Sequence, residues 1–212
     1  MGTHGAAVAF WVGLDGDGNS TVEQIGVQAN CTSQSAAATY TLWYEMAPAG
    51  MIPERSFTIK PGDSIAISVY YDQSNNVYDF NYSNSTEADG FTAEGVVCVA
   101  TCLNKTAEVI AEDPSGGVGS VDLADFGSVT FSGTTVTSLD GTKGDLCTGP
   151  TSSDKLWTSD EKDMWDPNGD PMAYPLSPAT RWPCAGRSGR PAHGARTPRR
   201  HARSRSTGRS RA

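Results

Sequence analysis

Apolar and polar positions alternate at a spacing of two along most of the chain up to about residue 135. The cleanest run is 64–71, where Ile65, Ile67 and Val69 alternate with Ala66, Ser68 and Tyr70. A period of two marks a strand with one buried and one open face. Comparable runs lie at 10–14, 21–26, 39–45, 56–60, 77–82, 94–100, 106–112 and 127–132. Turn chemistry separates them: Asp15-Gly16-Asp17-Gly18, a Ser- and Ala-rich stretch, and Pro61-Gly62-Asp63. No run carries a 3.6-residue apolar stripe. The pattern predicts an all-β chain folded as an antiparallel β-sandwich of jelly-roll, concanavalin-A-like form. Beyond about residue 135 the alternation fades, and 153–180 leaves room for one or two further strands around Trp157, Met164 and Trp165.

Charge divides the chain of 212 residues unevenly. All 24 acidic residues precede Arg181, against six bases (Arg55, Lys60, Lys105, Lys143, Lys155, Lys162), so 1–180 carries 6 − 24 = −18. Residues 181–212 hold ten Arg and no acid, which gives +10 and restores the total of −8. The organisation expected is a sandwich over 1–180 and a disordered Arg-rich tail over 181–212, which has too little to bury to offset its ordering entropy. So negative a body repels nucleic acid, and its self-repulsion eases in acid. No transmembrane run occurs. The start, MGTHGAAVAFWVG, lacks the charged and apolar regions of a signal peptide, so an export signal would lie outside this chain or be of an unusual kind. Five cysteines leave at least one thiol without an internal partner. Cys98 and Cys102 can bridge only if the chain turns between them, since four residues of straight strand span roughly 13 Å. Asn19, Asn30, Asn81, Asn84 and Asn104 open glycosylation sequons, which imply exposed loops if they are used.

Residue types exclude much chemistry. Histidine occurs only at 4, 193 and 201, outside every predicted strand, so no Ser-His-Asp or Cys-His site can form in the body. There is no zinc signature, no P-loop, and neither Asp-Thr-Gly nor Asp-Ser-Gly. Catalysis would rest on carboxylates, amides and hydroxyls, with no metal and no cofactor.

Several short blocks stand out: Trp11 to Gly16, Gln24 to Gly26, Trp43 to Glu45, Pro61 to Asp63, Ala107 to Glu112, and Ala124-Asp125-Phe126-Gly127 through Phe131. In this order they resemble the glutamic peptidases called eqolisins, over about residues 8–135. The resemblance implies a sandwich of two curved antiparallel sheets. It implies a catalytic pair, Gln24 and Glu108, and a substrate cleft shaped by Trp11, Asp15, Trp43 and Glu45, while the spacing of Glu112 from Glu108 makes Glu112 a cleft or structural partner. It also implies a secreted monomer acting on polypeptides. Val109, Gln28 and Ala47 depart from the family pattern, and only about ten residues precede the first block, where the family has early strands. Open sheet edges are expected there.

The pair makes physical sense in acid. A histidine base would be protonated there, whereas a glutamate of ordinary pKa, about 4.3, still accepts a proton. A glutamine amide donates to a developing oxyanion and does not titrate. Glu108 and Glu112 fall on one face roughly 13 Å apart, beyond the roughly 5–9.5 Å of a glycosidase pair. Two other functions are compatible with the residues. One is a carbohydrate-binding sandwich using Trp11, Trp43, Tyr44 and Tyr70; the other is an inactive peptidase relic.

Overall fold

The computed structural model describes residues 5–32, 37–114 and 122–146, and the backbone of short strands at 149–150, 164–165 and 171–173. No helix occurs among the described residues. The first sheet contains β1 (Ala6–Asp15), β2 (Val22–Cys31), β3 (Thr39–Ala47), β4 (Ile52–Glu54), β8 (Ala107–Glu112) and β9 (Asp122–Leu123). Its order is β4-β3-β2-β1-β8, with β9 pairing in parallel to the start of β1. The second sheet is an antiparallel meander of β5 (Ile65–Asp72), β6 (Val77–Asn84) and β7 (Asp89–Val97). Three short strands, β10 (Val136–Thr137), β11 (Lys143–Asp145) and β12 (Gly149–Pro150), form a third unit, and β13 (Met164–Trp165) pairs β14 (Pro171–Ala173). The last pair falls where the sequence left room for further strands.

The two large sheets pack face to face, β5 and β6 lying across β1 and β2. Alternation decides which side chains meet between them. Ile25 and Val27 of β2, Leu42 and Met46 of β3, and Tyr78, Phe80 and Tyr82 of β6 form the buried centre, with Ile65, Ile67, Val69 and Tyr71 of β5 against it. Tyr44 stacks on Phe80 at 5.3 Å between ring centroids. At one end, where the second sheet runs out, Val8 and Ala29 are covered by Leu123, Ala124 and Phe126, with Phe10 and Phe126 edge to face at 5.4 Å.

Three expectations need correcting. Residues 56–60 form no strand: the segment dips inward, burying Ile59 and placing Phe57 against Tyr82 and Phe91, so its alternation records packing and not a ladder. Residues 127–132 are irregular as well. The strand expected at 94–100 begins earlier, at Asp89, because Phe91 and Ala93 supply its inward face. Cys98 and Cys102 are bridged across a turn, with Cα atoms 6.2 Å apart, while Cys31 is a free thiol. Not every sequon lies in an exposed loop. Asn30 and Asn81 are strand residues, and Asn84 is 1 % exposed with its side-chain nitrogen donated to Asp63. The Arg-rich tail lies outside the described residues.

Phe80 has no exposed surface and touches the inward faces of both sheets. Phe80→Ala is expected to cost about 3–5 kcal/mol, read as a lower urea midpoint with an unchanged slope.

Candidate active site

The face of the first sheet turned away from the second carries the candidate residues, and strand register assembles them in rows. Gly13 of β1 is paired on one side with Gln24 of β2 and on the other with Glu108 of β8; Gln24 is paired in turn with Glu45 of β3. One row across four strands therefore reads Glu45, Gln24, Gly13, Glu108. Two strand spacings put Gln24 and Glu108 roughly 9–10 Å apart at their Cα atoms. Gly13 contributes no side chain of its own, and the Trp11 ring takes that place: a Cβ on Gly13 would lie 2.9 Å from Trp11 Cζ3.

The next row reads Trp43, Gly26, Trp11, Ile110. Gly26 is there for close approach: a Cβ on it would lie 2.5 Å from the Trp11 Cβ and from the Phe10 carbonyl oxygen. Trp11 and Trp43, 5 % and 3 % exposed, thus pack with Ala9 and Ile110 as a wall beside the first row. The third row sets Thr41, Gln28, Ala9 and Glu112 side by side, and Gln28 donates to Asn30 at 2.7 Å.

Gln24 is held firmly. Its Nε2 donates to Glu45 Oε2 at 2.6 Å, while its Oε1 is buried without a partner. Burial raises the Glu45 carboxyl, an effect that the Gln24 amide partly offsets. Burial likewise raises Glu112; the Trp11 indole offsets part of this without closing a hydrogen bond, and the charges of Glu45, Asp113 and Glu108 add to it. Glu108 sits against the β1–β2 turn. A Cβ on Gly16 would meet its two carboxylate oxygens at 3.0 and 3.1 Å, and Gly16 has a φ of 104° that side-chain-bearing residues seldom adopt.

Asp15 differs from expectation. It has no exposed surface and does not line the cleft. Its left-handed backbone (φ 63°) breaks the strand alternation, and its carboxylate accepts the amide hydrogens of Leu103, Asn104 and Lys105 at 2.6, 2.8 and 2.9 Å. Burial works against its charge, yet those amides outweigh it and hold the carboxyl below the usual range. The aromatic platform of a carbohydrate module does not assemble: Tyr44 faces the core, Tyr70 stands on the second sheet, and both tryptophans are buried. Sequence reasoning passed over Gly13, Gly26 and Gly16 as site residues, though each stood inside a quoted block. It also passed over Glu23, whose parity with Ile25 and Val27 was the signal that it points inward.

The Peptidase A4 family model matches residues 2–160. The chain belongs to the peptidase A4 (eqolisin) family. Aspergillopepsin-2 of Aspergillus niger is 34 % identical over 141 residues, which is 63 % of this chain and 47 % of that protein. The chain thus spans about half the length of the curated relative it matches. The crystal structure of aspergilloglutamic peptidase from Aspergillus niger superposes with a TM-score of 0.61 at 29 % identity, covering 79 % of this chain and 91 % of that one. Scytalido-glutamic peptidase, solved with a peptide-based transition state analog, gives 0.47 at 28 % identity over 58 % and 60 % of the two chains. The β-sandwich of this eqolisin chain accords with the likeness to aspergilloglutamic peptidase.

Because Trp11 lies beside Glu112, protonation of that carboxyl is expected to change tryptophan fluorescence, with a midpoint above about pH 4.5. The step should vanish in Glu112→Gln. A step that survives this substitution would assign the titration to another group.

Proposed function

We propose that the chain is an acid-acting glutamic endopeptidase, hydrolysing polypeptides with Glu108 as general base and Gln24 as oxyanion donor. One observation supports this most: Gln24 and Glu108 occupy a single cross-strand row on either side of Gly13, the one residue in that row with no side chain.

The steps follow from the side chains present. The Glu108 carboxylate takes a proton from the water as its oxygen bonds to the carbonyl carbon. Gln24 uses one amide hydrogen on Glu45, which leaves the other for the carbonyl oxygen as that oxygen gains charge. Glu108 then hands its proton to the amine as the C–N bond breaks. The amide is restrained by Glu45 before substrate arrives, so its dipole needs little reorganisation during reaction; one such donor is worth about 2.7–4 kcal/mol of barrier.

Acid suits the arrangement. Glu45 and Glu112 are both raised by burial and take up protons readily as pH falls, which lowers the negative charge around the cleft. A protonated Glu45 still offers its carbonyl oxygen to Gln24, so the amide keeps its restraint.

Purified protein is expected to cleave an acid-denatured substrate at about pH 2–5 in the presence of pepstatin, since it has no aspartic dyad. Glu108→Gln should lower kcat by at least about 10³-fold, and Gln24→Ala by about 10²–10³-fold, both with native circular dichroism. Absence of cleavage by the unmodified chain, or equal cleavage by either variant, would falsify the assignment.

A further inference from the structure

Glu23 has no exposed surface, and neither of its carboxylate oxygens finds a hydrogen-bond donor. It lies on the inward face of β2, between Leu14 of β1 and Met46 of β3. As a carboxylate, then, it is stranded in the core. As an acid it has a use, because its O–H can be donated to the neighbouring Asp15 carboxylate. Two buried carboxyls side by side do not both ionise. Asp15, supplied with three backbone amides, keeps the charge, and Glu23 keeps the proton.

Asp15 is joined to the segment leading into β8. Besides the amides of 103–105, its own N–H donates to the Thr106 carbonyl at 2.9 Å, two residues before Glu108. The next residue, Gly16, is the one facing the Glu108 carboxylate. We propose that Glu23 and Asp15 form a buried latch, held by one shared proton, that fixes the β1–β2 turn and thereby positions Glu108; loss of that proton releases it. The latch is a property of the fold, and its bearing on catalysis rests on the role of Glu108 given above.

The groups around Glu23 oppose a second charge. Asp15 from β1 is anionic, and the Tyr78 hydroxyl from β6 senses both carboxyls while it donates to Asn104. The Thr21 hydroxyl and the backbone amide of Glu23 itself favour ionisation of Glu23 and are outweighed. Burial first, and the Asp15 charge second, push the Glu23 carboxyl up to about 8. Below about pH 4.5 the folded and unfolded chains both hold the proton, and the latch contributes fully. As pH rises toward 8 only the folded chain retains it, so stability falls across that window. Asp15, held below its usual range, has the opposite sign and loses its contribution only as pH falls through that lowered value.

The test is a pH titration of near-ultraviolet circular dichroism for the unmodified chain, Glu23→Gln and Glu94→Gln. Glutamine can donate to Asp15 at every pH, whereas Glu94 is an exposed β7 residue that controls for simple loss of one negative charge. The transition above neutrality is expected to move up by at least about one pH unit in Glu23→Gln and to stay in place in Glu94→Gln. Equal shifts in the two variants, or none in Glu23→Gln, would overturn the latch. These readings do not depend on peptidase activity. Should Glu23→Gln not fold, the infrared C=O stretch of a protonated carboxyl at about pH 6.5 decides instead. It is recorded in Glu45→Gln/Glu112→Gln/Asp113→Asn, so that none of the other carboxyls raised by burial contributes. Its presence supports the latch, and its absence sinks it.

Discussion

The antiparallel ladder β2-β1-β8 is the constraint from which the site follows. Gln24 and Glu108 are 84 positions apart in the chain and meet only because both are in register with Gly13. Side chains alternate with a period of two, so a slip of one residue on either side would carry one of them through the sheet into the core. Slippage is opposed by the other face of the same strands. Ile25, Val27, Val12 and Leu14 pack against the second sheet, and a shift that turned Gln24 inward would drive these residues outward. The hydrophobic core and the candidate cleft are thus two faces of one register.

Glycine does local work in that register. Gly26 lets the Trp11 Cβ come close to its backbone, and Gly13 leaves the place between the candidate base and the candidate donor to the Trp11 ring. The departures from the family pattern can be placed by the same logic. Val109 is paired with Val12, whose side faces the core, so the change there alters packing and not the cleft. Gln28 falls in the third row, beside Ala9 and Thr41 and tied to Asn30, two rows away from Gln24.

Carboxyl groups in this chain differ by surroundings more than by type. Asp15 is buried yet held below the usual range because three amides point at it; Glu23, whose oxygens find no such set of donors, is raised. Glu45 and Glu112 are raised by burial on the cleft side. Such a set is best accommodated in acid, where the groups lacking donors are neutral and the one group with donors remains charged. Placement of the body's 24 acidic residues matters more here than their number.

Much of this was legible from residue order. Strict alternation in 64–71 gave β5 nearly residue for residue, and the Trp11 to Gly16, Gln24 and Glu108 blocks identified the family. These features are local or depend on a period of two, which any strand imposes on its own sequence. Other features were settled only by long-range contacts. Residues 56–60 alternate like a strand but found no edge to pair with, and Asp15 was turned inward by a left-handed backbone and by amides nearly 90 positions away. Glu23 carries no sign in the sequence that its neighbour across the core would be Asp15. Periodicity states which way a side chain points; what it meets there depends on how distant segments close around it, and burial, charge state and partners are decided at that point.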